Sequence, residues 1–291
     1  MAINNIKVEG KSGCPICIKR NNDGYFIEKK SKEASYSPRL KKQILKQINF
    51  YEKSKLTDTF QTPKIINSNE NDSIYCVEME LINAESYSSF LVMQHKKNLD
   101  LFVEQIYEYL TQNIKNANFV NSKIYKILLT TKTNELDFIF SRINSIEKKI
   151  LDDTLSFLKY KIPNSEIPIG TCHGDFTLSN MLFANSNKIY LIDFLDSFIE
   201  SPLIDYIKLR QDTKYHWSPF IEGPHKEYNV RLKQSLNYID TEISNRMNKS
   251  YGFIKKWEKY LTIMNFARIL PYANSENDFK YLTHNIKKLL Y

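Results

Sequence analysis

The stretch Cys172-His-Gly-Asp-Phe-Thr-Leu-Ser-Asn-Met-Leu-Phe183, followed by Ile189-Tyr-Leu-Ile-Asp-Phe194, constrains this chain more than any other. Two short apolar runs, Met181 to Phe183 and Ile189 to Ile192, flank the turn residues Asn185-Ser-Asn187. That pattern predicts a β-hairpin. Asn180 stands just before the first run and Asp193 just after the second. A hairpin returns its exit to the level of its entrance, so the two side chains can share one end. Asp175, five residues ahead of Asn180, lies on the loop leading in. The bland reading is a hairpin with a polar turn, in which Asp175 caps a helix and Asp193 is an ordinary turn residue.

The same three side chains suit phosphoryl transfer. That reaction asks a protein mainly to position groups and neutralise charge. One carboxylate accepts or orients the attacking hydroxyl. An oxygen-rich pair holds Mg²⁺, which prefers hard oxygen ligands and takes few of them from protein. The spacing resembles the Asp-x-x-x-x-Asn loop and metal-binding Asp-Phe of protein kinases. More closely, it resembles the aminoglycoside phosphotransferase and choline kinase family. The match rests on His173-Gly174-Asp175, Asn180 and Ile192-Asp193-Phe194. The resemblance implies Asp175 as the catalytic base or hydroxyl-orienting carboxylate. It implies Asn180 and Asp193 as Mg²⁺ ligands and His173 as a brace of the loop.

The resemblance also implies an α+β, protein-kinase-like bilobal fold. A small antiparallel β-lobe with one helix and a hinge would occupy residues 1–82. A larger, mainly helical lobe would occupy 83–291. The residues agree with that order. Ile6 to Val8, Cys14 to Lys19 and Tyr25 to Lys29 read as strands, with Asn21-Asn-Asp-Gly24 as a turn. Ser37 and Pro38 open a helix carrying Leu40, Ile44 and Ile48 at helical spacing. Lys64 to Ile66 and Ile74 to Glu80 read as two more strands joined by the polar loop Asn67 to Asp72.

The lysine that grips phosphates should lie in Tyr25-Phe-Ile-Glu-Lys-Lys30. Strand side chains alternate, so Lys29 shares a face with Ile27, whereas Lys30 shares one with Glu28. Lys29 is the better partner for a nucleotide. In kinases such a lysine pairs with a helix-borne Glu, but residues 38–53 carry no central acid. Gln47 is the expected substitute, with Glu33 or Glu52 reaching in as alternatives. Gly10-Lys-Ser-Gly13 would cover the phosphates. The backbone of Glu80 and Ile82 would meet the adenine edge of ATP, or the base of GTP.

Helical patterns dominate the remainder, at Leu99 to Gln112, Asn134 to Leu158, Leu203 to Leu209, Val230 to Ile239, Tyr251 to Leu270 and Asp278 to Leu290. Asp205, at a helix start, should brace the catalytic loop. Asp212, Tyr215, His216 and Trp217 follow where the fold class places its acceptor pocket, and are the acceptor-site candidates. The acceptor would be a small polar hydroxyl compound: a sugar, sugar phosphate, amino alcohol or aminoglycoside. The Arg210-Gln-Asp212 ending also resembles phosphotransferases linked to bacterial surface-carbohydrate assembly.

The formal charge of +8 favours acidic partners, nucleotide phosphates among them. It lacks the dense Lys/Arg run that marks a nucleic-acid or membrane patch, so neither partner is expected. No run of about 18 apolar residues predicts a membrane span. Four cysteines in 291 residues suit a reduced, cytoplasmic protein better than a disulfide scaffold. Two alternatives remain at this stage: a nucleotide-binding pseudokinase without turnover, suggested by the missing helix Glu, and a nucleic-acid-binding protein, suggested by charge. Oligomeric state is not legible.

Overall fold

The computed structural model describes residues 6–8, 14–22, 24–54, 60–143, 147–184, 188–222 and 230–291. The expected phosphate-covering loop, Gly10 to Gly13, and the hairpin turn, Asn185 to Asn187, lie outside them. The chain divides into two compact units. The first runs through residues 1–90 and takes in 179–196; the second comprises 91–178 and 197–291. The first unit therefore extends past residue 82 and recruits the hairpin from the middle of the chain.

The first unit is built on an antiparallel sheet. Strands β1 (Ile6–Val8), β2 (Ile16–Asn21) and β3 (Gly24–Lys30) form a meander. Gly24 closes its second turn at φ +134°, with its N–H on Asn21 Oδ1 at 3.0 Å. Only glycine takes that backbone freely. Helix α1 (Ser37–Ser54) follows. Ser37 was expected as its N-cap. Instead a 3₁₀ turn, Ala34–Tyr36, precedes it, and the Ser37 hydroxyl donates to Ser73 O at 2.7 Å.

Strand β4 (Phe60–Gln61) leads to β5 (Ile65–Asn71) and β6 (Ile74–Glu80), giving the order β1-β2-β3-β6-β5. The expected loop at 67–72 is mostly strand. Asp72 and Ser73 turn it at φ +50° and +63°, the left-handed pair of a tight two-residue hairpin. Val77 and Met79 of β6 pack on Leu40 and Ile44 of α1 as the apolar heart of this unit. A second sheet comes from β4, β7 (Ala84–Glu85), β10 (Met181–Ala184) and β11 (Ile189–Leu191), in the order β4-β11-β10-β7.

The second unit is mainly helical. It holds the end of α2 (Tyr87–Met93), then α3 (Lys96–Lys115), β8 (Asn118–Val120), α4 (Ser122–Phe140), α5 (Lys148–Tyr160) and β9 (Ile167–Ile169). Helices α6 (Pro202–Thr213), α7 (Trp217–Glu222), α8 (Val230–Ser250), α9 (Ile254–Ile269) and α10 (Glu276–Leu290) complete it. Helix α9 buries Trp257 and every residue from Tyr260 to Ala267, a run that covers all its sides. That marks a core helix rather than a surface one. Helix α6 is buried almost throughout, polar residues included. Buried polar groups need partners, and those of α6 find them at the site described next.

Candidate active site

Within the first unit stand a cation and two oxygen donors. Strand pairing sets Ile16, Lys29 and Val77 side by side, with Ile18, Ile27 and Met79 in the next row of that face. This is the face covered by α1, so the Lys29 side chain is only 7% exposed. Its ammonium meets Asp193 Oδ1 at 2.8 Å. Burial alone would push the Lys29 pKa down; the charge and hydrogen bond of Asp193 override it, and the net direction is up. Lys30 points to the opposite face, more exposed, 3.2 Å from Glu28 Oε1.

Asp193 follows β11 in the left-handed region, at φ +59°. Asp tolerates that conformation better than most residues. The hairpin pairs Met181 with Leu191, and the Ile192 N–H donates to Asn180 O at 3.0 Å. Asn180 and Asp193 thus flank the open end of one hairpin. Helix α1 holds the segment beyond. Phe50 packs on Phe194 at 5.2 Å, Lys46 donates to Leu195 O at 2.7 Å, and Arg39 pairs with Asp196 at 3.0 Å.

Gln47 takes a different part from the one expected. Its amide donates to Pro63 O at 2.9 Å inside the unit, and Lys29 pairs with Asp193 instead. Glu33 and Glu52 are exposed. The lysine needs no acid on α1, because the strand's own partner carboxylate comes from the hairpin. At the expected hinge, Glu80 ends β6 with its N–H on Lys64 O at 2.9 Å. Ile82 is half-buried, and among the described residues no backbone hydrogen bond involves it.

Within the second unit, helix α6 holds the loop 172–178. Gly174 sits at φ +88°, where a side chain would be strained. Fully buried Asp205 accepts the His173 N–H at 2.6 Å and the Gly174 N–H at 2.8 Å. It also accepts the hydroxyl of Tyr109 at 2.8 Å. Burial first, and Asp205 second, push the Tyr109 pKa well up. The buried His173 ring accepts the Asp175 N–H on Nδ1 at 3.2 Å, so it orients the loop from within.

Asp175 Oδ1 lies 3.0 Å from Lys208 Nζ. Lys208 was not among the expected residues. Its signal was present, since Asp205, Lys208 and Asp212 fall at i, i+3 and i+7, one face of a helix. That face follows the loop step by step: Asp205 takes backbone N–H groups at 173 and 174, Lys208 meets the side chain at 175, and Asp212 takes the Leu178 N–H at 2.8 Å.

Asp212 is accordingly not an acceptor contact. It is fully buried, with its oxygens on the backbone N–H groups of Leu178 and Ser218, the latter at 3.0 Å. Burial pushes its pKa up to about 6, partly offset by those donors. Tyr215, His216 and Trp217 form the corner between α6 and α7. Tyr215 meets Phe266 edge-on at 5.0 Å, and burial pushes its pKa up to about 12. His216 sits at φ +52° with Nε2 3.2 Å from Asn237 Oδ1, and burial lowers its pKa. Trp217 joins Phe220 and Tyr281 at ring distances of 6.0 and 5.9 Å. All three are half-buried.

The chain shares its fold with protein-kinase-like phosphotransferases of solved structure. A thermostable mutant of an aminoglycoside phosphotransferase, in ternary complex with AMP-PNP and hygromycin B, superposes with a TM-score of 0.62 at 10% identity, covering 99% of this chain and 93% of that one. A choline kinase from Streptococcus pneumoniae gives 0.60 at 11% identity, with 99% and 93% covered. A glucosamine kinase gives 0.57 at 10% identity, with 99% and 78% covered. Within that fold, residues 132–231 match the Phosphotransferase enzyme family, a span that contains Asp175, Asn180 and Asp193. The family likeness drawn from the motif is therefore found again in the family match and in the fold. No curated protein matches the chain by sequence.

Proposed function

We propose that this chain is a Mg²⁺-dependent small-molecule kinase, transferring the γ-phosphoryl group of ATP, or of GTP, to a hydroxyl of a small polar acceptor. The observation that carries the reading is the ion pair of Lys29 with Asp193, joined across 164 residues of sequence at the open end of the Asn180 hairpin. A buried ammonium beside a carboxylate is a setting in which phosphate oxygens can take the cation and a metal the anion.

Asn180 and Asp193 fit Mg²⁺ by donor chemistry. Both offer hard oxygens, and among the described residues no cluster of three or more His, Cys, Asp or Glu stands ready to hold an ion. Two protein oxygens leave places for phosphate oxygens and water, which Mg²⁺ favours. When bound, the ion neutralises charge developing on the phosphates. Lys29 grips the phosphates from the strand side. The backbone at Glu80 and Ile82 lies along the base, with residues 1–82 as the nucleotide-binding part. Asp175 orients the acceptor hydroxyl and takes its proton. Asp205 and His173 hold the loop so that Asp175 does not wander. Tyr215, His216 and Trp217 offer aromatic and polar surface to an acceptor. Its class is a sugar, sugar phosphate, amino alcohol or aminoglycoside. A cytoplasmic location is part of this proposal, and the four cysteines, none in a disulfide, are compatible with it.

The test follows thermal unfolding with Mg-ATP and Mg-GTP, then nucleoside diphosphate release against choline, glucosamine, sugar phosphates and hygromycin B. We expect a raised midpoint with at least one nucleotide and acceptor-dependent release. Asp175→Asn should keep the nucleotide shift and lose about 10²–10⁴-fold in turnover, the range of general-base catalysis. Wild-type turnover in Asp175→Asn, or no shift with either nucleotide, would sink the assignment. A shift with no release for any acceptor favours a nucleotide-binding protein without turnover.

A further inference from the structure

The cations of helix α6 and its C-cap divide into two groups. Arg210 is bound to Asp240 at 2.9 and 3.0 Å and to Glu258, while Lys214 lies 3.7 Å from Glu258. Those acids lie on α8 and α9 and serve the core. Lys208 is different. Its carboxylate partner is Asp175, 3.0 Å away, and its side chain is only 11% exposed. A lysine this buried needs a partner, yet a leucine would fill the space at less cost in desolvation. The ammonium also has a second, neutral contact, 3.3 Å from Gln211 Oε1. That oxygen accepts the Asn265 amide at 2.8 Å, from α9. Gln211 and Asn265 are both buried. A fixed amide chain therefore holds the ammonium from behind.

We propose that Lys208 is a positioning residue for Asp175, and that the chain Asn265–Gln211–Lys208 fixes the direction in which the Asp175 carboxylate faces the acceptor hydroxyl. The proposal rests on the reading of Asp175 as the hydroxyl-orienting group. Asp205 and Asp212 hold the loop by backbone N–H groups at 173, 174 and 178. Backbone bonds place the loop; the ion pair at Oδ1 acts on the carboxylate itself, which is the gain expected of preorganisation. No bond is made or broken at Lys208, and it carries no proton in the reaction.

Two measurements test it. In protein labelled with ¹⁵N at lysine Nζ, the sheltered, ion-paired Lys208 ammonium should give a slowly exchanging signal at neutral pH. That signal is assigned by its loss in Lys208→Met. It should shift or vanish in Asp175→Asn; indifference to Asp175→Asn, or no sheltered signal, overturns the inference with no turnover assay needed. In kinetics with Mg-ATP and the best acceptor, or water if none is found, Lys208→Met should lower kcat about 10²-fold, the scale of a misplacement near 1 Å. KM for ATP should stay unchanged, and Lys208→Arg, which keeps a cation, should retain more activity than Lys208→Met. Equal losses in the two variants mean packing alone and overturn the proposal. Loss in Asp175→Asn with none in Lys208→Met sinks this inference and spares the kinase reading. Wild-type turnover in Asp175→Asn sinks both.

Discussion

At the scale of single residues, buried charge is the organising fact. Lys29, Lys208, Asp205 and Asp212 all sit where water is scarce, and each is held by a named partner. Asp212 shows the consequence for pH. Its native pKa of about 6 lies above the ordinary 3.8. The native state therefore binds the proton more tightly than the unfolded chain does. Stability contributed by this group is full below the ordinary value and is lost as pH rises through that window. The difference corresponds to about 3 kcal/mol. Denaturant unfolding of wild type and Asp212→Asn between pH 4 and 7 should show a falling component in wild type that the variant lacks. Identical pH profiles would refute it. Lys29 was legible as a residue because strand alternation separates it from Lys30. Its partner was not legible, because nothing in the local spacing ties residue 29 to residue 193.

At the scale of elements, α6 is a ruler laid along the loop 173–178. Ser201 caps it, its hydroxyl accepting the Leu203 N–H and donating to Pro168 O. From there Asp205, Lys208 and Asp212 meet successive loop positions at helical spacing. Asp205 carries the most, because three donors converge on it. Asp205→Ala would remove the charged acceptor shared by two buried backbone N–H groups and the Tyr109 hydroxyl. We expect a loss of about 3–5 kcal/mol in urea unfolding, the scale for breaking a buried charged network. A loss below 1 kcal/mol would contradict this account. The helix itself was legible from its apolar pattern, and Asp205 from its place at the helix start. Lys208 was passed over although its spacing was visible, since periodicity says which residues share a face but not what that face meets. The start of β5 was legible at Lys64 to Ile66, but its continuation was not: the polar run Asn67 to Asn71 carries no apolar alternation, and edge pairing with β6 decided it.

At the scale of the whole chain, sequence order and spatial grouping part company. The first unit is completed by residues 179–196. Strand β4 pairs with β11 and β7 with β10, so both depend on a hairpin far along the sequence. Phe60 of β4 is 2% exposed, and the Thr62 hydroxyl donates to Leu191 O at 2.8 Å. A fragment of residues 1–90 would leave those edges and that ring uncovered. It should fail to give a cooperative thermal transition by circular dichroism. Adding a 179–196 segment through a linker should improve it. Cooperative unfolding of the bare fragment would show that the hairpin is dispensable to the unit.

The sequence by itself determined the chemistry-bearing hairpin, the braced loop before it, and the succession of a β-rich first part and a helical remainder. Each of these is encoded locally, in alternation, helical spacing and turn residues within reach of one another. Tertiary structure alone decided that Lys29 answers to Asp193 rather than to Gln47, that Asp212 faces the core rather than an acceptor, and that Lys208 reaches Asp175. Those outcomes depend on which distant surfaces come together. The cost of burying a charge then selects the partner, and no local pattern records that cost.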